Sequence, residues 1–246
     1  EADLEGIEKA ELTLRINQGL DLPQFDIYNP EPGSVLSSFS KVIGMVTDDE
    51  EGIDEATIEI QFDGGTWLPV KAPPSGDTEG SGVAVRWWYT LNGLAPGLHT
   101  LQLRAQDYDS AQGLSNPVSF TIDAGAPVVE IESPKLGEYL NTTGYTISGN
   151  TDGSGGTIDS VEVSLDGGLT YHAATSTSGA YDEWEYVVGL PNPPSPEGIV
   201  AIKAKAVDGT KVAFYNLQVI VDTDPPVVAF LSPTKSTSVN GPVTVR

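Results

Sequence analysis

Apolar and polar residues alternate with a period of two in many short stretches of the chain, among them residues 57–62, 100–105 and 161–165. Successive side chains of a β-strand point to opposite faces of a sheet, so this alternation predicts strands that bury one face. Asp-Gly-Gly triplets at 63–65 and 166–168 follow two of these stretches directly. Glycine accepts the positive φ that tight turns need, so the triplets predict turns between strands. The pattern indicates an all-β chain.

The same landmarks recur at intervals of one domain. Pro23, Pro127 and Pro226 are 104 and 99 residues apart, and a short alternating apolar run follows each of them. Roughly seven short strands per ~100 residues are typical of a Greek-key β-sandwich. We therefore interpret the chain as a segment of a longer array with four parts: the last strands of a preceding repeat (1–22), two complete sandwiches (23–125 and 126–224), and the first strands of a truncated next repeat (225–246).

Two tryptophans also align between the complete repeats. Trp88 stands five residues before Gly93, and Trp184 stands five residues before Gly189. This spacing predicts that Trp88 and Trp184 are equivalent residues packed between the two sheets of their sandwiches. Trp87 then points to the opposite face of its strand, which places one of the two neighbours near the surface.

The repeats resemble the bacterial Ig-like domains that occur in tandem along prokaryotic cell-surface and secreted proteins. The residues that carry this resemblance are 44–49, 53–60, 63–67, 97–107 and the junction 221–228. The resemblance implies tandem immunoglobulin-like sandwiches, an extracellular, cell-surface or cell-envelope location, and neighbouring Ig-like domains as partners. Loop 71–82 and the proline-rich stretch 191–197 depart from the family pattern.

Charge and composition narrow the possible functions. The chain has 12 Lys and Arg against 35 Asp and Glu, a net charge of −23, and no cysteine. Phosphates would be repelled, which argues against nucleic acid or an anionic membrane as partner. No apolar run approaches the ~20 residues of a membrane span, and no catalytic motif is present. We therefore expect a protein that is not an enzyme and does not insert into a membrane through this segment.

Calcium is the one cofactor that the sequence suggests. In a seven-strand sandwich, the loop after the second strand and the loop before the last strand meet at one pole. Carboxylates that converge there repel one another, and a cation bound through six to eight oxygens would relieve that repulsion. Turn aspartates that bond their own backbone are the alternative interpretation. The predicted ligands are Asp21, Asp48, Asp49, Asp54, Asp107 and Asp109 in the first repeat, and Asp123, Asp152 and Asp208 in the second.

Three functions fit these observations. The first is a non-catalytic structural segment of a surface protein, either a subunit of an S-layer or other surface assembly with identical partner subunits, or an adhesin stalk stiffened by divalent cations. The second is an accessory or carbohydrate-binding module of a secreted polysaccharide-active enzyme, for which Trp67 and Tyr108 are candidate stacking residues. The third is a protein-binding receptor domain that uses loop 71–82. The sequence favours the first.

Overall fold

The computed structural model describes residues 22–48, 52–72, 84–153, 156–189 and 195–224, and these form β-strands and no helix. The strands are β1 (Gln24–Asn29), β2 (Val35–Leu36), β3 (Lys41–Thr47), β4 (Ile53–Phe62), β5 (Leu68–Pro69), β6 (Ala84–Thr90), β7 (Gly97–Asp107), β8 (Gln112–Leu114), β9 (Val118–Ile122), β10 (Val128–Ser133), β11 (Tyr139–Leu140), β12 (Thr146–Asp152), β13 (Ser160–Ser164), β14 (His172–Ala173), β15 (Thr175–Ser176), β16 (Glu183–Val187), β17 (Gly198–Asp208) and β18 (Lys211–Val221).

Each domain consists of two sheets packed face to face. In the first domain one sheet has the order β1-β3-β6, and the other has the order β2-β9-β7-β4-β5 with β8 also paired to β7. In the second domain the orders are β10-β12-β16-β15 and β11-β18-β17-β13-β14. Most neighbours are antiparallel, and the short strands β2 and β11 pair parallel to the last strand of their domain. This arrangement confirms the predicted all-β, immunoglobulin-like sandwich fold.

The strands form two sandwiches in chain order, while the predicted domain bounds stay predictions. The strands of the first domain fall within 23–125, and those of the second fall within 126–224. Residues 1–21 and 225–246 lie outside the described residues, so the partial repeats predicted at the two ends stay predictions.

The core tryptophan of the first domain is Trp87, so the prediction that Trp88 occupies this position is wrong. Trp87 and Trp184 are each 1% exposed, whereas Trp88 is only partly buried. In the sheets, Trp87 pairs with Gly44 and Trp184 pairs with Gly149. The spacing to the following glycine predicts the wrong tryptophan because the turn that contains Gly93 is one residue longer than the turn that contains Gly189.

A glycine lies beneath each core tryptophan because no Cβ fits there. A Cβ on Gly44 would lie 2.3 Å from the Asp26 carbonyl oxygen and 2.4 Å from the Trp87 ring. A Cβ on Gly149 would lie 1.9 Å from the Glu130 carbonyl oxygen and 2.6 Å from the Trp184 ring. The tryptophan rings therefore pack directly on the backbone of the neighbouring strand.

Gly149→Ala should destabilise the second domain by about 1–3 kcal/mol, because the added methyl group forces the strand or the ring to move. Chemical denaturation followed by circular dichroism measures the loss. Gly125→Ala is the matched control, since its Cβ would meet no atom closer than 3.5 Å. Equal stability of both variants would show that the ring does not pack on Gly149.

Candidate functional site

Outside the two cores, the interface between the domains combines apolar packing with ion pairs and hydrogen bonds. Ile43, on β3 of the first domain, is 6% exposed and belongs to the apolar cluster of the second domain. Tyr28, Met45 and Trp88 of the first domain pack against the same cluster. Side chains of the second domain's core, among them Tyr215, therefore meet the outer face of the β1-β3-β6 sheet. The apolar cluster of the second domain thus extends onto the outer face of the first domain.

Polar contacts surround this apolar contact. Lys41 of the first domain pairs with Glu130 of the second. Lys203 of the second domain pairs with Glu31 of the first at 2.6 Å, and only 12% of the Lys203 side chain is exposed. Since Glu31 is half exposed and Lys41 is partly exposed, such ion pairs contribute little on their own, about 0–1 kcal/mol each. Their main effect is to fix the orientation in which the apolar faces meet.

Further contacts hold the second domain to the first and to the linker. Arg86 Nη1 donates to the Leu136 carbonyl oxygen at 3.2 Å. Lys211, at the start of β18, pairs with Asp123 in the linker between the domains. The Asp123 N–H donates to the Leu36 carbonyl oxygen at 2.9 Å. The linker is therefore bonded to both sandwiches.

The apolar outer face of the β1-β3-β6 sheet, which contacts the second domain, is the docking face of the first domain. It has no equivalent in the second domain. Since Gly44 and Gly149 are equivalent, Ile43 corresponds to Ser148, and Met45 corresponds to Asn150. Trp88 likewise corresponds to a residue of β16, Glu185. The outer face of the β10-β12-β16-β15 sheet is thus polar where the first domain is apolar. The first domain therefore has an apolar outer surface that contacts its neighbour, and the second domain has no such surface at the equivalent position.

Sequence reasoning missed this interface, although β3 contains a signal for it. Its sequence, KVIGMVT, is apolar at consecutive positions instead of alternating. A strand with apolar residues on both faces is buried on both faces. The equivalent strand β12, TISGNTD, alternates as a half-exposed strand does.

Two aspartates predicted as calcium ligands are buried and bonded to their own loops. Asp48 is 5% exposed, and its Oδ1 accepts a hydrogen bond from the Gly52 N–H at 3.3 Å. Asp107 is 3% exposed, and its Oδ1 accepts from the Ala111 N–H at 2.8 Å. The Tyr108 N–H donates to the Gly52 carbonyl oxygen at 3.2 Å, which joins the two loops. The structure therefore brings these loops together at one pole.

The other predicted ligands of the first domain are more exposed or undescribed. Asp54 Oδ1 accepts from the Ala56 N–H at 3.1 Å, and Asp109 is exposed in its turn. Asp21 and Asp49 lie outside the described residues.

In the second domain a lysine lies among the predicted ligands. Asp123 pairs with Lys211, and this contact, together with the Gly125 N–H, lowers the pKa of Asp123. Asp152 ends β12, and Asp208 ends β17. A Cβ on Gly153, the residue after Asp152, would lie 3.5 Å from Asp208 Oδ2, so the ends of these strands are close together.

Within the described ranges, no group of three or more histidine, aspartate or glutamate side chains is arranged to hold a metal ion. Since two of the predicted ligands are outside these ranges, calcium binding stays a prediction.

His99 is held by hydrogen bonds at both ring nitrogens. Nδ1 lies 2.7 Å from Asp63 Oδ2, and Nε2 lies 2.7 Å from the Ala95 carbonyl oxygen. Both partners are acceptors, so the two hydrogen bonds form together only when both nitrogens carry a proton. The hydrogen bond to Asp63, with help from that to Ala95, raises the pKa of His99 above 6.5. This arrangement ties the start of β7 to the turn after β4, which is a structural role.

The His99 contact predicts a pH dependence. A histidine whose pKa is raised on folding stabilises the folded state fully below its unfolded pKa of 6.5, and this contribution is lost as the pH rises through the folded pKa. The difference in melting temperature between the protein and His99→Gln should therefore be larger at about pH 5.5 than at about pH 8.5. The same difference at both pH values would show that His99 is not protonated in the folded state.

The aromatic residues proposed for sugar stacking are not assembled into a platform by any contact among the described residues. The Arg104 guanidinium lies 4.6 Å from the centre of the Trp67 ring. Tyr108 is 57% exposed, and its hydroxyl donates to Glu55 at 3.3 Å. Of loop 71–82, Lys71 and Ala72 are described, and the Lys71 backbone is hydrogen-bonded to that of Trp88.

Comparison with known proteins finds a family model that matches part of the second domain. Residues 127–204 match the model of the bacterial Ig domain family. Domains of this kind are usually non-catalytic and typically occur in extracellular or surface proteins. No curated protein sequence gives a significant match. No helix in the described part of the chain has the length and hydropathy of a membrane span.

Similar solved structures include the fibronectin(III)-like modules of Clostridium thermocellum CbhA, with 17% identity over 80% of this chain and 94% of that chain, and a TM-score of 0.32. Dimeric latent PorU from Porphyromonas gingivalis is 14% identical over 82% of this chain and 20% of that chain, with a TM-score of 0.44. The D00-D0 domain of intimin is 13% identical over 80% of this chain and 100% of that chain, with a TM-score of 0.27. These likenesses are too weak to bear on function.

Together, the sandwich folds and the family match confirm the resemblance of this chain to tandem bacterial Ig-like domains.

Proposed function

We propose that this chain is a non-catalytic structural segment of an extracellular cell-surface protein, in which two docked sandwiches act as one rigid spacer. The observation that carries the proposal is the burial of Ile43 in the hydrophobic cluster of the second domain. Domains joined only by a linker move relative to one another unless their interface is large and hydrophobic. An apolar contact between the domains, bordered by ion pairs, removes that freedom.

The linker supports the same conclusion. Ala126 is 1% exposed, and its N–H donates to the Asp123 carbonyl oxygen at 3.0 Å. Pro127 follows, and its ring fixes φ. A short, hydrogen-bonded linker that is buried at Ala126 and Pro127 is suited to transmit force between domains without acting as a hinge.

A surface location fits the family and the charge. The net charge of −23 keeps an exposed array soluble and repels nucleic acid. An S-layer or a comparable surface assembly and an adhesin stalk both need such a spacer, and both belong to this proposal.

Antibodies raised against the chain should label intact cells of the source organism as strongly as permeabilised cells. A cytoplasmic protein of known location, probed in the same cells, is the control. Labelling that appears only after permeabilisation would overturn the surface location.

Calcium binding at the pole of the first domain is also part of this proposal. Its support is the burial of Asp48 and Asp107 on two adjoining loops, in a chain with few basic residues. Since both carboxylates accept backbone hydrogen bonds, their burial has an explanation without calcium. Added calcium should raise the melting temperature over that measured with a chelator, and Asp109→Asn should reduce the increase. Equal melting temperatures in calcium and chelator would exclude a stabilising site.

A further inference from the structure

The interface between the domains contains a cleft of about 520 Å³, which is within the size range of small-molecule sites. Trp88 and Ile43 line it from the first domain, and Leu136 and Tyr215 line it from the second. The cleft exists only while the domains are docked, so any function assigned to it rests on the proposed rigid pair.

The charge of the cleft is opposite to that of the protein. Lys41, Arg86 and Lys135 line it, and the described lining residues include no aspartate or glutamate. The whole chain has 35 acidic residues against 12 Lys and Arg. The cleft therefore has three cationic side chains in its lining, whereas the chain as a whole is strongly acidic.

Two of the three cations have no carboxylate partner among the described residues. Lys41 is neutralised by Glu130. Arg86 donates to the carbonyl oxygen of Leu136, a neutral acceptor, and Lys135 forms no ion pair within the described ranges. A guanidinium has five N–H donors in a planar fork that matches a carboxylate, so Arg86 retains donors for an anion.

The geometry brings these groups to one place. Arg86 contacts the backbone of Leu136, and Lys135 is the residue before Leu136. Arg86 and Trp88 are two residues apart on β6, so their side chains lie on the same face of the sheet. Tyr215 lines the cleft from the second domain. Cationic donors and an aromatic ring thus line the same cleft.

We propose that this cleft binds a small carboxylate attached to a ring. Arg86 holds the carboxylate with two parallel N–H bonds, Lys135 contributes a second positive charge, and the ring packs against Trp88. The net charge of the protein does not prevent this, because at 0.15 M salt charges more than about 8 Å away are largely screened. Two sources share this chemistry, an acidic sugar and an aromatic carboxylate.

Isothermal titration of the whole chain with glucuronate and with phenylacetate tests the proposal and separates the two sources. Glucose and phenylacetamide are the neutral counterparts. A ligand of this size should bind with a dissociation constant on the order of 1 mM. At least one carboxylate should bind about tenfold or more tightly than its neutral counterpart. Equal affinity for the carboxylate and its neutral counterpart in both pairs would overturn the proposal.

Variants test the residues. Arg86→Gln and Lys135→Gln should each weaken binding about tenfold. Lys205→Gln is the matched control, since it removes the same charge from a lysine that pairs with Glu162 away from the cleft. Equal losses in all three variants would overturn the proposed contacts.

Small-angle X-ray scattering of the same samples separates the two proposals. Docked domains without binding of either carboxylate would overturn the ligand site alone. Scattering from separated domains would overturn both the rigid spacer and the site.

Discussion

Ile43→Asp should separate the two domains while leaving both sandwiches folded. Ile43 is 6% exposed in the apolar cluster of the second domain, and an unpaired carboxylate there would lose its hydration at a cost of several kcal/mol. Opening the interface returns the charge to water. The second domain, which loses a covering side chain, should be destabilised by about 2–5 kcal/mol. Small-angle X-ray scattering should show a larger radius of gyration, and denaturation should show two separate transitions.

The chain provides a matched control for this variant. Ser148 occupies the equivalent position on the outer face of the second domain, where the surface is polar. Ser148→Asp should leave the scattering curve nearly unchanged and, because residue 148 lies opposite Glu185 on the neighbouring strand, should cost no more than about 1 kcal/mol of stability. If Ile43→Asp scatters like the original protein, the apolar contact does not hold the domains together.

Trp87→Ala should destabilise the first domain by about 3–5 kcal/mol, because a large, fully buried side chain leaves a cavity that the sheets cannot close. Trp87 is 1% exposed and packs directly on the backbone of Gly44. Denaturation followed by far-ultraviolet circular dichroism is the suitable measurement, since the substitution itself alters the fluorescence.

Trp88→Ala is the neighbouring comparison and should act differently. Trp88 lies on the outer face of the same strand, against the second domain. Its removal should loosen the docking and change the stability of the first sandwich by less than half as much. A larger loss from Trp88→Ala than from Trp87→Ala would contradict the assignment of Trp87 to the core.

The fold was predictable because its signals are local. Alternation in β4, β7 and β13 defines which faces are buried, and the Asp-Gly-Gly turns adopt positive φ as expected, for example at Asp63 (φ 53°) and Gly64 (φ 69°). The core tryptophan was predicted one residue away from its true position because its spacing was counted to Gly93, which lies in a turn. An inserted residue in a turn costs little free energy. An inserted residue in the strand would break the pairing of Trp87 with Gly44.

The interface was harder to predict because its two sides are far apart in sequence. Lys203 and Glu31 are separated by 172 positions, and nothing in either local sequence identifies the other as partner. The consecutive apolar residues of β3 show that its outer face is covered, but not what covers it. The predicted calcium ligands illustrate the opposite case. Topology predicts that the loops of Asp48 and Asp107 meet, and they do, but the same aspartates also serve as turn residues.

The rigid docking of the two domains is tested most directly by a distance between them. The chain contains no cysteine, so spin labels can be placed at Asn92→Cys in the first domain and Thr177→Cys in the second, both exposed positions. The control pair, Asn92→Cys with Asn116→Cys, lies inside the first domain. Double electron–electron resonance should give a single distance distribution for the interdomain pair that is as narrow as the distribution for the control pair. A broad distribution for the interdomain pair beside a narrow control would show that the domains move independently, which contradicts the rigid spacer.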